Sequence, residues 1–423
     1  MLIAKASVHE EIDDATLASL VSQALGGISA AQKVIAVPPD ITRAHSQAGK
    51  ITDLLYSNLG SRLSAVLPAV GTHAPMTDRE IAAMYPGTPR SLFMAHDWRK
   101  DVVELGRITA EEIRSFCDGV VDYDYPVQAN QGLVHGGYDA IISIGQVVPH
   151  EVVGMANHAK NIFVGTGGKE AIDRSHFMGA AYGMERMMGR SDTPVRRTFN
   201  RALKIAEPQL PPILWMLTVV GRNQSGALAI RGFFAGDDTR CFEEAAALAR
   251  EVNVETMDEA IETALVYLDP HEYRSTWLGN KAVYRTRMAM VDGGRLFILA
   301  PGLAHFGEDS GIDTLIRKYG YRPSTEIRRL VREKEDLASS LSAAAHLIHG
   351  SSEGRFSVHY APGPGVSKAE IESVGYGYAE LDALMAEYDV HSLKPGWNKT
   401  KAGGKVFFVP NPALGLWARR GRI

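Results

Sequence analysis

The stretch KVIAVPPDITRAHSQAGKITDLLYSNLGSRLSAVLPAVGTH, Lys33 to His73, decides the fold. It opens with "KVIAVP" (Lys33 to Pro38), a short unbroken apolar run of the kind a strand shows when both its faces are covered. The loop Asp40-Ile41-Thr42-Arg43 follows, Ile51 to Leu63 has helical periodicity, and Ser64 to Val70 is a second apolar strand ending in Gly71-Thr72-His73. Strand, helix and strand in such close succession make a βαβ unit, whose two strands lie parallel.

The pattern continues outward. Thr77 and Glu80 have the spacing of a capping box, so a helix starts near Thr77. Asp139 to Ile144 is a further strand that leads to His150, and Ile213 to Val220 with Ala227 to Phe234 makes an antiparallel hairpin across "GRNQSG". A second unit begins near Ala264 with "ALVYL" and "GRLFILAP", continues in the helical "TEIRRLVREKEDLASSLSAAAHLIHG", and ends in short strands. The expected fold is α/β with two domains and the active site in the cleft between them. Residues 1–265 form the larger N-terminal domain on a mostly parallel sheet, joined by a returning tail, 400–423. Residues 266–399 form the smaller α/β C-terminal domain.

Bulk properties narrow the function. The chain of 423 residues is too long for one ordinary core, and its 45% apolar and 22% charged residues are those of a globular protein. A formal charge of -4 leaves no electrostatic footprint for nucleic acid. Cys117 and Cys241 are the only cysteines, too few for a disulfide framework or a Cys-based zinc site. The first twenty residues lack the apolar core of a signal peptide, and the longest apolar runs are strand-length. A cytoplasmic enzyme acting on a small molecule is expected, with neither nucleic acid nor membrane as partner.

In open α/β sheets, ligands bind beyond the carboxyl ends of the strands. Three strand ends here carry polar groups: Asp40 with Thr42 and Arg43, then His73, then His150. Arg43 has the planar fork that suits a carboxylate, or it pairs with a nearby acid. His73 and His150 have the chemistry of a general acid and base, or of metal ligands. The zincin pattern H-E-x-x-H fails, because Gly154 stands where the second histidine belongs. "GTGGK" (Gly165 to Lys169) fails the phosphate-loop spacing and reads as a tight turn or a single-phosphate cradle.

Between Pro149 and His176, His150, Lys160 and His176 stand ten and then sixteen residues apart, with Gly154 inside the stretch. With Asp40-Ile41-Thr42-Arg43, Gly71-Thr72-His73 and Lys281 in "WLGNKA", this pattern resembles the nickel-pincer lactate racemase family. The resemblance implies a racemase or epimerase, an isomerase that inverts C2 of a 2-hydroxy acid. It also implies nickel and pyridinium-3,5-bisthiocarboxylic acid mononucleotide, the nickel-pincer nucleotide, as cofactor, with the cofactor-making enzymes as partners.

Carried over by position, Lys160 is the covalent anchor and His176 the nickel ligand. His73 and His150 are the acid/base pair, and Asp40 and Thr42 line the cofactor. Arg43, Lys281 and Leu278 face the substrate, while hydride passes from C2 to the pyridinium ring and back. Departures from the family pattern concern the substrate. Asn157-His158-Ala159 replaces the Gly-Gly-Arg before the anchor lysine, Leu278 replaces a glutamine, Ala74 replaces an arginine, and no tryptophan lies on the late helix. They imply a larger 2-hydroxy acid such as a sugar acid. His158 and Lys169 are expected to be solvated or structural; His305, Glu308, His346 and His349 are expected to be ordinary surface groups, with hydrogen bonding to a polyol chain as the alternative. Two rival readings are a zinc-dependent hydrolase built on the histidines and a non-catalytic carrier of the pincer cofactor.

Overall fold

The computed structural model describes residues 2–401, 403–413 and 415–423. These residues form two compact units: Met1–Met178 with Met187–Asn253, and Gly179–Arg186 with Val254–Ile423.

The first unit is built on a six-stranded sheet. Its strands lie in the order Leu2–Ala6, Leu228–Gly236, Ile213–Arg222, Ala140–Gln146, Val34–Val37, Leu63–Val66. The last four run parallel, and the hairpin and the N-terminal strand add an antiparallel side. Val34 to Val37 are all fully buried, as an all-apolar central strand of a covered parallel sheet must be. Ala140–Gln146, Val34–Val37 and Leu63–Val66 are successive neighbours, so their carboxyl ends open side by side. The crossover between the last two is the helix Ala48–Leu59, whose Ile51 and Leu55 are fully buried. The Thr77–Glu80 capping box is present and starts the helix Asp78–Met84.

The second unit has its own six-stranded sheet, in the order Gly377–Tyr378, Ser357–Pro362, Met290–Ala300, Ile261–Tyr267, Lys405–Val409, Gly396–Lys399. All neighbours are parallel except the last pair. The chain tail differs from the sequence expectation. It does not rejoin the first unit: Lys405–Val409 pairs with Ile261–Tyr267, and Leu416–Arg419 pairs with Val254–Met257. Val406 to Val409 are buried, so this apolar strand completes the sheet of the unit it belongs to. The main run of the second unit therefore begins at Val254, a dozen residues before the expected 266, and the unit also takes in Gly179–Arg186. The single late helix read from the sequence is three, Ser324–Glu333, Glu335–Ala338 and Leu341–His349, because Lys334 and Ser340 leave the helical region.

Candidate active site

Asp40 follows the central strand and caps the short helix Ile41–Ser46. Its Oδ1 accepts from the Thr42 N–H at 3.1 Å and from the Thr42 hydroxyl at 2.5 Å. Its Oδ2 lies 2.6 Å from His73 Nδ1. The carboxylate is buried, yet His73 leaves half of its side chain exposed. Burial raises the Asp40 pKa, but the hydrogen bonds from His73 and Thr42 and the Arg43 charge outweigh it, and the net shift is downward. An ionised acceptor fixes the proton of neutral His73 on Nδ1, which leaves Nε2 as an open base. Arg43 is exposed and donates to Thr42 O and Oγ1, each at 3.3 Å.

His150 lies on the next strand end, in a two-residue ladder, Pro149–His150 against Gly154–Met155. Gly154 has φ 84°, and a side chain there would stand 2.2 Å from the Arg190 carbonyl, so only glycine closes this turn. His150 Nδ1 accepts from the Val152 N–H at 3.1 Å. Its pKa falls well below the usual histidine value: burial is the main cause, the Lys160, Arg43 and His176 charges add to it, and Glu151 opposes them. The ring is thus neutral with its proton on Nε2, the opposite tautomer to His73.

Lys160 opens the short helix Ala159–Phe163. Desolvation, followed by the Arg43 and Arg196 charges, pulls its amine down to about 8, against the pull of Glu151 and Asp40. Asn161 ties the helix to the sheet by donating to Val37 O at 2.9 Å and Ser143 Oγ at 3.0 Å. His176 sits in the helix Lys169–Tyr182 and directs Nδ1 at the Ile172 carbonyl, 2.7 Å away. That bond puts its proton on Nδ1 and leaves the Nε2 lone pair for a ligand, the arrangement metal-binding histidines show. Burial first, then the Lys160 charge, keeps the ring neutral.

The structure thus gathers Asp40, Thr42, Arg43, His73, His150, Lys160 and His176 in the first unit, with Arg43, Lys160 and His176 near enough to shift His150. Leu278 and Lys281 belong to the second unit. There Leu278 is half-buried in the helix Thr276–Gly279, and Lys281 Nζ is 5.6 Å from the Tyr273 ring centre.

The remaining residues singled out in the sequence divide between expectations met and expectations changed. "GTGGK" is a turn linking two helices: the Gly167 carbonyl meets His96 Nε2 at 3.2 Å, and a side chain on Gly167 would collide with Phe163 O at 2.0 Å. Lys169 pairs with Asp173 at the surface. His158 is not solvated; it is 1% exposed and stacks 4.1 Å from Trp215. His346 and His349 are likewise buried, because the first packs on Trp277 at 4.3 Å and meets Tyr321 Oη at 2.9 Å. His305 Nδ1 meets Gly307 O at 2.7 Å, and Glu308 accepts from Ser275 Oγ at 2.6 Å. Sequence reasoning missed Glu151 and Arg196 as contributors to this electrostatic balance. Glu151 was in view only as part of a failed metal motif, and Arg196 carries no motif at all.

Among the described residues no three or more His, Cys, Asp or Glu side chains are grouped to hold a metal. A zinc hydrolase needs three protein ligands. No described helix is long and apolar enough to cross a membrane.

Comparison with known proteins agrees with this layout. Residues 2–188 match the lactate racemase N-terminal domain family. Among solved structures, a protein from Thermotoga maritima superposes with a TM-score of 0.82 at 22% identity, covering 97% of this chain and 100% of its own. The lactate racemase apoprotein from Thermoanaerobacterium thermosaccharolyticum superposes with a TM-score of 0.72 at 15% identity, covering 97% of this chain and 94% of its own. No curated protein matches in sequence. Residues 2–188 are thus similar to the lactate racemase N-terminal domain, and nearly the whole chain shares its α/β fold with the lactate racemase apoprotein.

Proposed function

We propose that the protein is an isomerase that inverts C2 of a 2-hydroxy acid with the help of a nickel-pincer nucleotide. One observation carries the reading: Lys160, with its lowered amine, and His176, with Nε2 left open by the Ile172 bond, both act on His150, while Asp40, the partner of His73, acts on Lys160.

The residues fit the cofactor chemically. A lysine forms an amide-type link only through its neutral amine, and desolvation, by lowering Lys160 to about 8, raises the share of that form near neutral pH above that of an ordinary lysine. Imidazole nitrogen beside sulfur donors suits Ni(II) in a tetragonal setting, and His176 offers one such nitrogen. When bound, this group supplies the acceptor and donor of the C2 hydride.

The chain supplies the proton chemistry and the hold on substrate. His73 takes the 2-hydroxyl proton at Nε2 while Asp40 steadies the imidazolium that results. His150 serves the opposite hand of the substrate. To act as a base at Nε2 it shifts its proton to Nδ1 and gives up the Val152 contact. Arg43 has no carboxylate within ion-pairing distance among the described residues, so its fork is open to the substrate carboxylate. We assign Lys281 and Leu278 to the substrate as well. We infer a substrate larger than lactate, such as a sugar acid, since small Ser and Ala residues stand on the late helix where the resembling family carries a tryptophan. The cofactor-making enzymes are the expected partners.

The test is intact-mass measurement after co-expression with those enzymes, followed by polarimetry over a panel of 2-hydroxy acids. Added mass mapped to Lys160 with loss of optical activity supports the reading. An unmodified chain sinks it, and a modified chain that turns over no member of the panel makes it a carrier.

A further inference from the structure

Lys160 follows a turn of unusual backbone. Asn157 has φ 69°, and His158 has φ 56° with ψ -134°, two consecutive non-glycine residues in a region that glycine favours. Such a turn persists only if its surroundings hold it.

The holding group is Arg196, 2% exposed in the helix Pro194–Ala206. Its Nη2 donates to Met155 O at 2.7 Å, and Nη1 and Nη2 both donate to Asn157 O at 3.1 Å. The guanidinium lies 4.0 Å from the Phe242 ring centre. Thr193, which caps the same helix, donates to Val153 O at 3.0 Å. Buried arginines ordinarily meet a carboxylate. Among the described residues Arg196 meets none, its Nε makes no hydrogen bond, and burial alone lowers its pKa to about 9. His158 closes the other side, stacked on Trp215, with neither ring nitrogen in a well-formed hydrogen bond.

We infer that Arg196 is a positioning residue: by gripping the Met155 and Asn157 carbonyls it fixes the left-handed turn that presents Lys160 to the site. The inference rests on the reading of Lys160 as the cofactor anchor. A guanidinium is suited to the task because its rigid fork reaches two carbonyls at once, which an ammonium does not.

The experiment compares the full-length wild type with Arg196→Met, Arg196→Lys and the double variant Asn157→Gly/Arg196→Met. Each is co-expressed with the cofactor-making enzymes, and the fraction modified at Lys160 is read by mass. Each apoprotein is also treated with sulfosuccinimidyl acetate, and acetylation of Lys160 is measured relative to exposed Lys5. Both single variants are expected to fall below a tenth of wild-type loading and to lose at least fivefold in relative acetylation. The glycine variant is expected to recover most of both, because glycine holds a positive φ without the clamp. Wild-type values in both single variants, or no recovery in the double variant, overturn the inference. Should Arg196→Met not fold, Arg196→Lys carries the same expectation alone. If even the wild type takes up no cofactor, the anchor reading fails, while the acetylation arm still decides whether Arg196 sets the position of Lys160.

Discussion

His73 and Asp40 are joined from Nδ1 to Oδ2 at 2.6 Å, and the buried member of the pair is the acid. The carboxylate therefore decides which ring nitrogen carries the proton. Asp40→Asn keeps the shape and removes the ionised acceptor. Turnover is expected to drop on the order of 10²–10⁴-fold, the usual weight of a positioned base. Nitrogen NMR of His73 should show Nε2–H gaining population. Full activity in the variant would refute the assignment.

The two site histidines start in opposite tautomers, since His150 accepts from Val152 where His73 donates to Asp40. His73→Ala and His150→Ala should each lower racemisation by a similar 10²–10⁴-fold. In single-turnover reactions, His73→Ala should slow one enantiomer more than the other, and His150→Ala should show the reverse bias. Equal losses for both enantiomers in both variants would remove the division of labour.

If C2–H cleavage is part of the reaction, C2-deuterated substrate should turn over more slowly in the chemical step. Single-turnover kinetics with and without deuterium check this directly. No isotope effect there would point to another route.

His158 and His96 are buried with pKa values pushed down, in each case chiefly by desolvation. An unfolded chain binds protons at these positions below about 6.5, whereas the folded one resists. Their contribution to stability is thus complete above about pH 6.5 and is lost as the pH falls towards the folded values. Urea midpoints should drop between pH 7.5 and 5.5, and His158→Phe should flatten that slope. A slope unchanged by the substitution would count against the burial argument.

Glu185 anchors the second unit by meeting Arg287 at 3.3 Å, Arg355 at 2.6 Å and Arg422 at 3.2 Å. Arg287 is almost fully buried, so Glu185→Gln removes the stronger of its two counter-charges and leaves only that of Glu353. A loss of about 2 kcal/mol is expected, the range for a charged hydrogen bond with one partner removed. Chemical denaturation followed by a probe in the second unit reads it.

Much of this was legible in the chain. Unbroken apolar runs such as Val34 to Val37 announced the covered strands, and with them the strand ends after which Asp40, His73 and His150 lie. Thr77 and Glu80 announced a helix start because a capping box is a local device. What escaped depends on groups distant in sequence. Arg196 acts on carbonyls forty residues away, which no spacing rule encodes. Lys405 to Val409 is apolar in either setting, so composition alone could not say which sheet it completes. The left-handed turn at Asn157 and His158 is hidden because neither residue advertises a positive φ as glycine does.

Asp40 has two oxygens and two obligations: one caps the helix that bears Arg43, the other orients His73. If Arg43 binds the substrate acid and His73 takes its proton, as proposed, any redesign that swings the Arg43 loop to admit a different acid will also disturb the proton acceptor. Grafting a new specificity onto this scaffold will require transplanting the loops after both strands together, as one inherited piece.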